Sequence, residues 1–305
     1  MKNLIYFIIS FVSFSVIAQI KSEEITIFNH QIELPGTLTY QKEKTPLLIW
    51  VHGSGNVDRN GNQPGTPVKA NYIKQFRDAV NSENMAFFSY DKRTANAKNS
   101  PFLKGYKITD FVTDVKKVVA HFKKENRFSK IILVGHSQGS LIAMLALENV
   151  DKYISLAGAG ETIDKTIVKQ ITKNNSTLGE AAQTQFDSLK IKGKIDIVNP
   201  FLRNIFSKPN QPFLISWMKL DPKVEIAKIN IPILIIQGEK DIQVTKEDAS
   251  KLLEANTKGE LATIANMNHV LKEITKDEDN LTSYYSDKFP ISEKLIAVVN
   301  QFVKK

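Results

Sequence analysis

In the segment Lys130-Ile131-Ile132-Leu133-Val134-Gly135-His136-Ser137-Gln138-Gly139-Ser140-Leu141-Ile142-Ala143-Met144, an unbroken apolar run meets a glycine-flanked serine and passes straight into a second apolar stretch. The run before Gly135 reads as a strand covered on both faces, and residues 138–147 carry a helical pattern. A turn joining them so abruptly needs the positions two before and two after Ser137 to be nearly free of side chain. Such a strained corner thrusts the serine Oγ outward above a sheet. A serine there is either a helix N-cap or a nucleophile, and its place between a buried strand and an apolar helix favours the nucleophile.

The same alternation extends in both directions. Continuous apolar runs at residues 46–51, 85–90, 130–134, 153–156 and 232–236 predict buried strands. Helical patterns fall between and after them, at residues 70–82, 109–124, 138–147, 246–255 and 292–303. Residues 25–28 and 31–40, broken at Asn29-His30 and at Pro35-Gly36, predict an antiparallel pair at a sheet edge. The class is therefore α/β, with a mostly parallel central sheet flanked by helices. Residues 160–224 interrupt the rhythm. They hold no buried strand run but contain helical patterns at 163–173 and 178–189 and loops expected around Pro200, Pro209, Pro212 and Pro222. This segment is expected to be a helical cap inserted between two strands. Its Phe201, Phe206, Phe213, Trp217 and Met218 are expected to pack onto the domain beneath more readily than to face a ligand.

A serine hydroxyl needs a base to take its proton. Of the five histidines, His136 lies inside the turn and should point away from Oγ, His52 precedes a glycine turn, His121 falls on a helix and His30 in the N-terminal hairpin. His269, in a loop after a strand expected at residues 259–264, is the candidate base. The imidazolium in turn needs a fixed carboxylate. Ile233-Leu234-Ile235-Ile236-Gln237-Gly238-Glu239-Lys240-Asp241 ends a buried run in a glycine turn and offers Asp241, with Glu239 as competitor; Asp241 is preferred because Glu239 suits an exposed partner for a lysine. An oxyanion would be held by backbone N–H groups. Gln138 supplies one, and the turn His52-Gly53-Ser54-Gly55 the other, from Ser54 with Gly53 next; a purely structural glycine turn is the alternative there.

Composition narrows the partners. At 305 residues, with 42% hydrophobic and 24% charged residues, the chain has the proportions of one globular domain carrying an insertion, not of a disordered or fibrous protein. The absence of cysteine removes disulfides, thiolate metal sites and cysteine nucleophiles. The net charge is +9, but only Arg59, Arg77, Arg93, Arg127 and Arg203 among the 41 basic residues are arginine, and the lysines are scattered among acids. That pattern describes a solvated surface and argues against nucleic-acid binding. Residues 1–18 combine Lys2, an apolar run shorter than the roughly 20 residues a membrane span needs, and a small-residue site at Ala18. They are expected to be a signal peptide, leaving residues 19–305 as an exported domain, periplasmic or secreted, with no stable membrane anchor after cleavage.

These residues carry a resemblance. With His52-Gly53-Ser54-Gly55, Asp58-Arg59-Asn60-Gly61, Tyr90-Asp91-Lys92-Arg93, the Gly135–Gly139 turn, Gly238-Glu239-Lys240-Asp241 and Asn268-His269, the chain resembles the α/β-hydrolase superfamily, in particular secreted bacterial esterases with a helical insertion. The chain order Ser137, Asp241, His269 is the order of that superfamily. Its Asp-x-Arg segment usually continues into glycine, whereas Thr94-Ala95-Asn96-Ala97 follows Arg93 here. The resemblance implies a serine hydrolase that cleaves small-molecule carboxylic esters through an acyl-enzyme and needs no metal or cofactor. Thioester or peptide cleavage by the same residues, or an exported binding protein without turnover, are the alternatives.

Overall fold

The computed structural model describes residues 19–305, so the expected signal peptide lies outside the described residues. Eight strands form one sheet: β1 (Lys21–Asn29), β2 (Ile32–Tyr40), β3 (Leu47–Val51), β4 (Ala86–Tyr90), β5 (Ile131–His136), β6 (Lys152–Leu156), β7 (Ile233–Gly238) and β8 (Glu260–Ile264). Their spatial order is β1-β2-β4-β3-β5-β6-β7-β8. β1 and β2 are antiparallel to each other, β2 is antiparallel to β4, and every later pair is parallel.

Each internal strand divides its side chains between two covered faces. Leu47, Ile49 and Val51 of β3 join one core with Leu133 and Ile235, while Leu48 and Trp50 join the other with Ile132 and Ile236. The first core is closed by α2 (Ile108–Glu125), α3 (Gln138–Met144), α8 (Pro222–Ala227) and α9 (Lys246–Ala255). The second lies beneath α1 (Tyr72–Ser82) and α10 (Glu293–Lys304). Both faces are thus sealed by helices, which is why these strands are continuously apolar.

β2 departs from expectation: it runs unbroken through Pro35-Gly36, which pair with Thr26 and Ile25. The Phe88 ring occupies the space a Gly36 side chain would take, 2.4 Å from where its Cβ would stand, so the glycine admits a close neighbour instead of ending the strand. α3 also stops at Met144, short of residue 147.

Between β6 and β7 lie α4 (Ile163–Asn174), α5 (Ser176–Lys192), α6 (Arg203–Phe206) and α7 (Gln211–Met218), followed by α8. Phe186, Leu189, Leu202, Phe206 and Leu214 give this segment a small core of its own. Its aromatic residues divide three ways. Phe206 is fully buried in that core and Phe201 is exposed, while Phe213 meets Tyr106 and Phe111 on the sheet-bearing part of the molecule, ring centres 5.2 and 5.8 Å apart.

Candidate active site

In a parallel sheet whose chain proceeds first to one side and then to the other, the crevice lies at the carboxyl ends of the two strands flanking the reversal. Here the chain passes from β3 to β4 on one side and returns to β5 on the other, so Val51 and Gly135 stand side by side at that point. His52 to Gly55 leave β3 there, and Ser137 leaves β5 there.

Ser137 has φ 54° and ψ −121°, a region that side chains rarely enter. The neighbouring glycines explain how the corner closes. A Cβ on Gly139 would lie 2.1 Å from the Val51 carbonyl oxygen, and one on Gly135 would lie 2.5 Å from the Gly139 carbonyl oxygen. Backbone fills both spaces, so no side chain larger than hydrogen fits. The Ser137 N–H donates to the Leu156 carbonyl at 2.9 Å, tying the corner to β6.

Asp241 and His269 come together from loops that follow β7 and β8. His269 Nδ1–H donates to Asp241 Oδ2 at 2.7 Å, which leaves the Nε2 lone pair as the basic face of the ring. The Asp241 carboxylate also accepts from Gln243 N at 2.7 Å, Val244 N at 3.0 Å and Gln237 Nε2 at 3.1 Å. Burial works to raise this carboxyl, but the His269 charge and hydrogen bond and the two backbone donors outweigh it, holding Asp241 below the usual carboxylate range. Glu239, the competitor, is exposed and pairs with Lys246 at 3.2 Å.

The other histidines take supporting places. His136 stacks on Trp50 with ring centres 5.7 Å apart, and its Nε2–H donates to the His269 carbonyl at 2.8 Å, so the elbow residue holds the backbone of the candidate base. Burial, reinforced by the nearby His269, pushes His136 down to about 3, and burial pushes His52 to about 3 as well. Both are neutral at physiological pH. His30 is in the β1–β2 turn and His121 is on α2 beside Glu125.

Ser137 sits where two cavities meet. One of about 280 Å³ is walled by Leu141, Ile163, Ile167 and Trp217 from the helical segment and α3. The other, of about 260 Å³, is lined by His269, Gly53, Val270 and Tyr284. Ser54 borders both. Among the described residues no hydrogen bond joins Ser137 Oγ to His269, and none is donated by the Ser54 or Gln138 N–H. The structure therefore brings Ser137, Gly53, Ser54, Gln138 and the Asp241–His269 pair to one crevice, with two backbone donors free.

Several residues at the site have a structural role that the sequence does not assign them. Gln237 ends an apolar strand, and that one polar interruption was its only signal. Asn268 donates to Asn280 Oδ1 and Ser283 Oγ at 3.0 and 2.7 Å, pinning the loop that carries His269. Arg93 makes a buried pair with Asp114 at 2.6 and 2.7 Å. The Thr94–Ala97 departure from the usual glycine is absorbed by a turn closed by Ala95 N to the Lys92 carbonyl at 2.7 Å, and Asn99 donates to the Arg93 carbonyl at 3.0 Å. Lys92 itself is buried, and that burial pushes its ammonium down to about 7.

Sheet order, covered faces and a serine elbow at the strand reversal together make this an α/β-hydrolase fold. A family model described as BD-FAE matches residues 34–256, most of the chain, and the protein belongs to that family. Esterase EstD of Thermotoga maritima is 23% identical over 281 residues, 89% of this chain; the chain spans 66% of EstD, just under two thirds of its length. Among solved structures, a Pyrococcus furiosus esterase superposes with a TM-score of 0.60 at 16% identity, covering 93% of this chain and 91% of that one. Est1E from Butyrivibrio proteoclasticus does so at 0.57 and 17%, covering 92% and 99%, and has also been solved with ferulic acid bound.

Proposed function

We propose that the protein is a serine carboxylesterase in which Ser137 is the nucleophile, His269 the general base and acid, and Asp241 the carboxylate that orients and stabilises the imidazolium. The observation that carries this is the convergence on one crevice of a serine in a strained elbow, an imidazole already hydrogen-bonded at 2.7 Å through Nδ1, and two unpaired backbone N–H groups. Membership of the BD-FAE family and similarity to EstD support the reading.

In the proposed cycle His269 Nε2 takes the Ser137 proton as Oγ bonds to the acyl carbon, and the carbonyl oxygen becomes an oxyanion held by the Ser54 and Gln138 N–H groups. The carbon–alkoxy bond then breaks, and the leaving oxygen carries away the proton that His269 returns. Water repeats the sequence on the acyl-enzyme, freeing the acid and restoring Ser137. The Ser137–His269 hydrogen bond would close as substrate enters, since such bonds are commonly loose before the reacting complex forms. The apolar cavity fits the acyl group and the His269 side fits the departing alcohol. Helices α4 to α7 act as a cap that sets acyl preference, and residues 1–18 direct export.

Hydrolysis of p-nitrophenyl acetate and butyrate by the purified protein tests the reading. Ser137→Ala should lower kcat by about 10⁴-fold or more. Equal rates for the two proteins would overturn it.

A further inference from the structure

Lys92 is the most conspicuous buried group that the proposed cycle leaves unused. It follows β4, is 4% exposed, and has no carboxylate partner among the described residues: neighbouring Asp91 is engaged by Arg59 at 3.0 Å and Asp114 by Arg93. Its ammonium is surrounded by neutral groups instead. Nζ donates to the Gly53 carbonyl at 2.7 Å and to Gln138 Oε1 at 2.7 Å, and lies 4.6 Å from the centre of the Phe111 ring. Two of its N–H bonds are thus taken by acceptors and the Phe111 ring lies against the ammonium, while Lys92 also borders a cavity of about 410 Å³ with Ser54 and Gln138.

The two oxygens it holds belong to the two residues flanking the candidate oxyanion site. The Gly53 carbonyl and the Ser54 N–H share one peptide plane, and in a trans peptide they point in opposite directions. Anchoring the carbonyl on one side fixes where the N–H points on the other. In its charged form, dominant below about pH 7, the ammonium on that carbonyl also draws electron density through the amide and makes its N–H a stronger donor. Gly53 lies directly over the nucleophile, since a Cβ there would stand 3.3 Å from Ser137 Cβ. Gln138 is held at its side chain by the same nitrogen, while its N–H remains free.

We propose that Lys92 is a positioning residue that sets both oxyanion donors, and polarises the Ser54 N–H, by clamping the Gly53 carbonyl and the Gln138 side chain with a single nitrogen. This rests on the esterase reading above. A residue acting through those donors affects the tetrahedral state more than the ground state, so its removal should lower kcat and leave KM nearly unchanged.

The experiment compares the wild type, Lys92→Met, Gln138→Met and Ser137→Ala for p-nitrophenyl butyrate turnover and for inhibition by phenylboronic acid. The boronic acid forms a B–O bond with Ser137 Oγ and places a tetrahedral oxygen at the oxyanion position. Titration with a fluorophosphonate counts competent sites, so rates refer to folded enzyme. Lys92→Met is expected to lower kcat by about 10- to 100-fold, less than the loss of a whole oxyanion donor, with KM within about 3-fold and boronate affinity weakened in proportion to kcat. Gln138→Met, which keeps both N–H groups and the Lys92–Gly53 bond, should give a smaller loss of the same kind, and it carries the test if Lys92→Met does not fold. Unchanged kcat and boronate affinity would overturn the proposal. So would a raised KM alone, which would make Lys92 part of the substrate-binding wall, or a rate loss wholly explained by fewer competent sites. An inactive Ser137→Ala beside a fully active Lys92→Met would refute the clamp and leave the esterase intact, whereas an active Ser137→Ala would refute both.

Discussion

At the scale of single residues, the site depends on side chains that are absent as much as on those present. Ser137 reaches its positive φ because Gly135 and Gly139 let β3, β5 and α3 approach through backbone contacts alone. Gly139→Ala forces a methyl group against the Val51 and His52 carbonyls and is expected to cost about 3 kcal/mol or more, a loss that thermal denaturation would register. A melting curve like that of the wild type would show that the corner relaxes. Asp241→Asn is expected to keep the fold but present the wrong hydrogen-bonding partner to His269 Nδ1. On the proposed mechanism kcat should fall by roughly 10³- to 10⁴-fold with little change in KM, measured by steady-state kinetics. The Ser137 corner was legible in the sequence because its steric demand is met within five consecutive positions. Gln237 was not, because its contact with Asp241 exists only once the β7 loop has folded back on the strand.

At the scale of elements, the helices between β6 and β7 behave as a unit with its own interior, attached to the sheet-bearing part by contacts such as Ile108 N to Ser216 Oγ at 2.9 Å and Gln170 Nε2 to the Gln243 carbonyl at 2.9 Å. Phe186 is fully buried there against Phe206, ring centres 4.7 Å apart. Phe186→Ala is expected to remove about 3–5 kcal/mol from that small core and loosen it without unfolding the sheet. Limited trypsin digestion should then cut within residues 163–218 first, with KM raised and Ser137 still labelled by a fluorophosphonate. Cleavage spread evenly along the chain would mean that the two parts unfold together. Helical periodicity located α4 and α5 closely but not α6 and α7, which fall where the prolines read as loops. It did not show which of the segment's aromatic residues faces inward, since Phe201 and Phe206 look alike in sequence while one is exposed and the other fully buried.

For the molecule as a whole, two fully buried neutral histidines link stability to pH. His52 and His136 are pushed by burial from an ordinary value of 6.5 down to about 3, so between those limits the unfolded chain binds protons that the folded chain refuses. Stability is complete above about pH 6.5 and is lost progressively as the pH falls toward 3; Asp241, held below its ordinary value, adds a loss of the same sign at the acid end. Urea midpoints should drop between about pH 7 and pH 4.5 by the equivalent of a few kcal/mol. His52→Gln, which can still reach the Tyr90 carbonyl, should remove a large part of that dependence. Identical midpoints at the two pH values would refute the linkage.

The amino-acid sequence by itself determined the α/β alternation, the tight serine corner and the loops that bring Gly53, Ser54, Asp241 and His269 to the strand ends, because periodicity and turn sterics are written in runs of a few residues. Only the tertiary structure decided that a lysine after β4 would reach two oxygens on either side of Ser137, that His136 would brace the His269 backbone, and that two cavities would meet at one hydroxyl. Those contacts join residues dozens of positions apart. The lysine contacts arise from the order β4-β3-β5, which sets the loops after all three strands side by side at one edge of the sheet, and a buried ammonium has no local pattern to announce which acceptors it will meet.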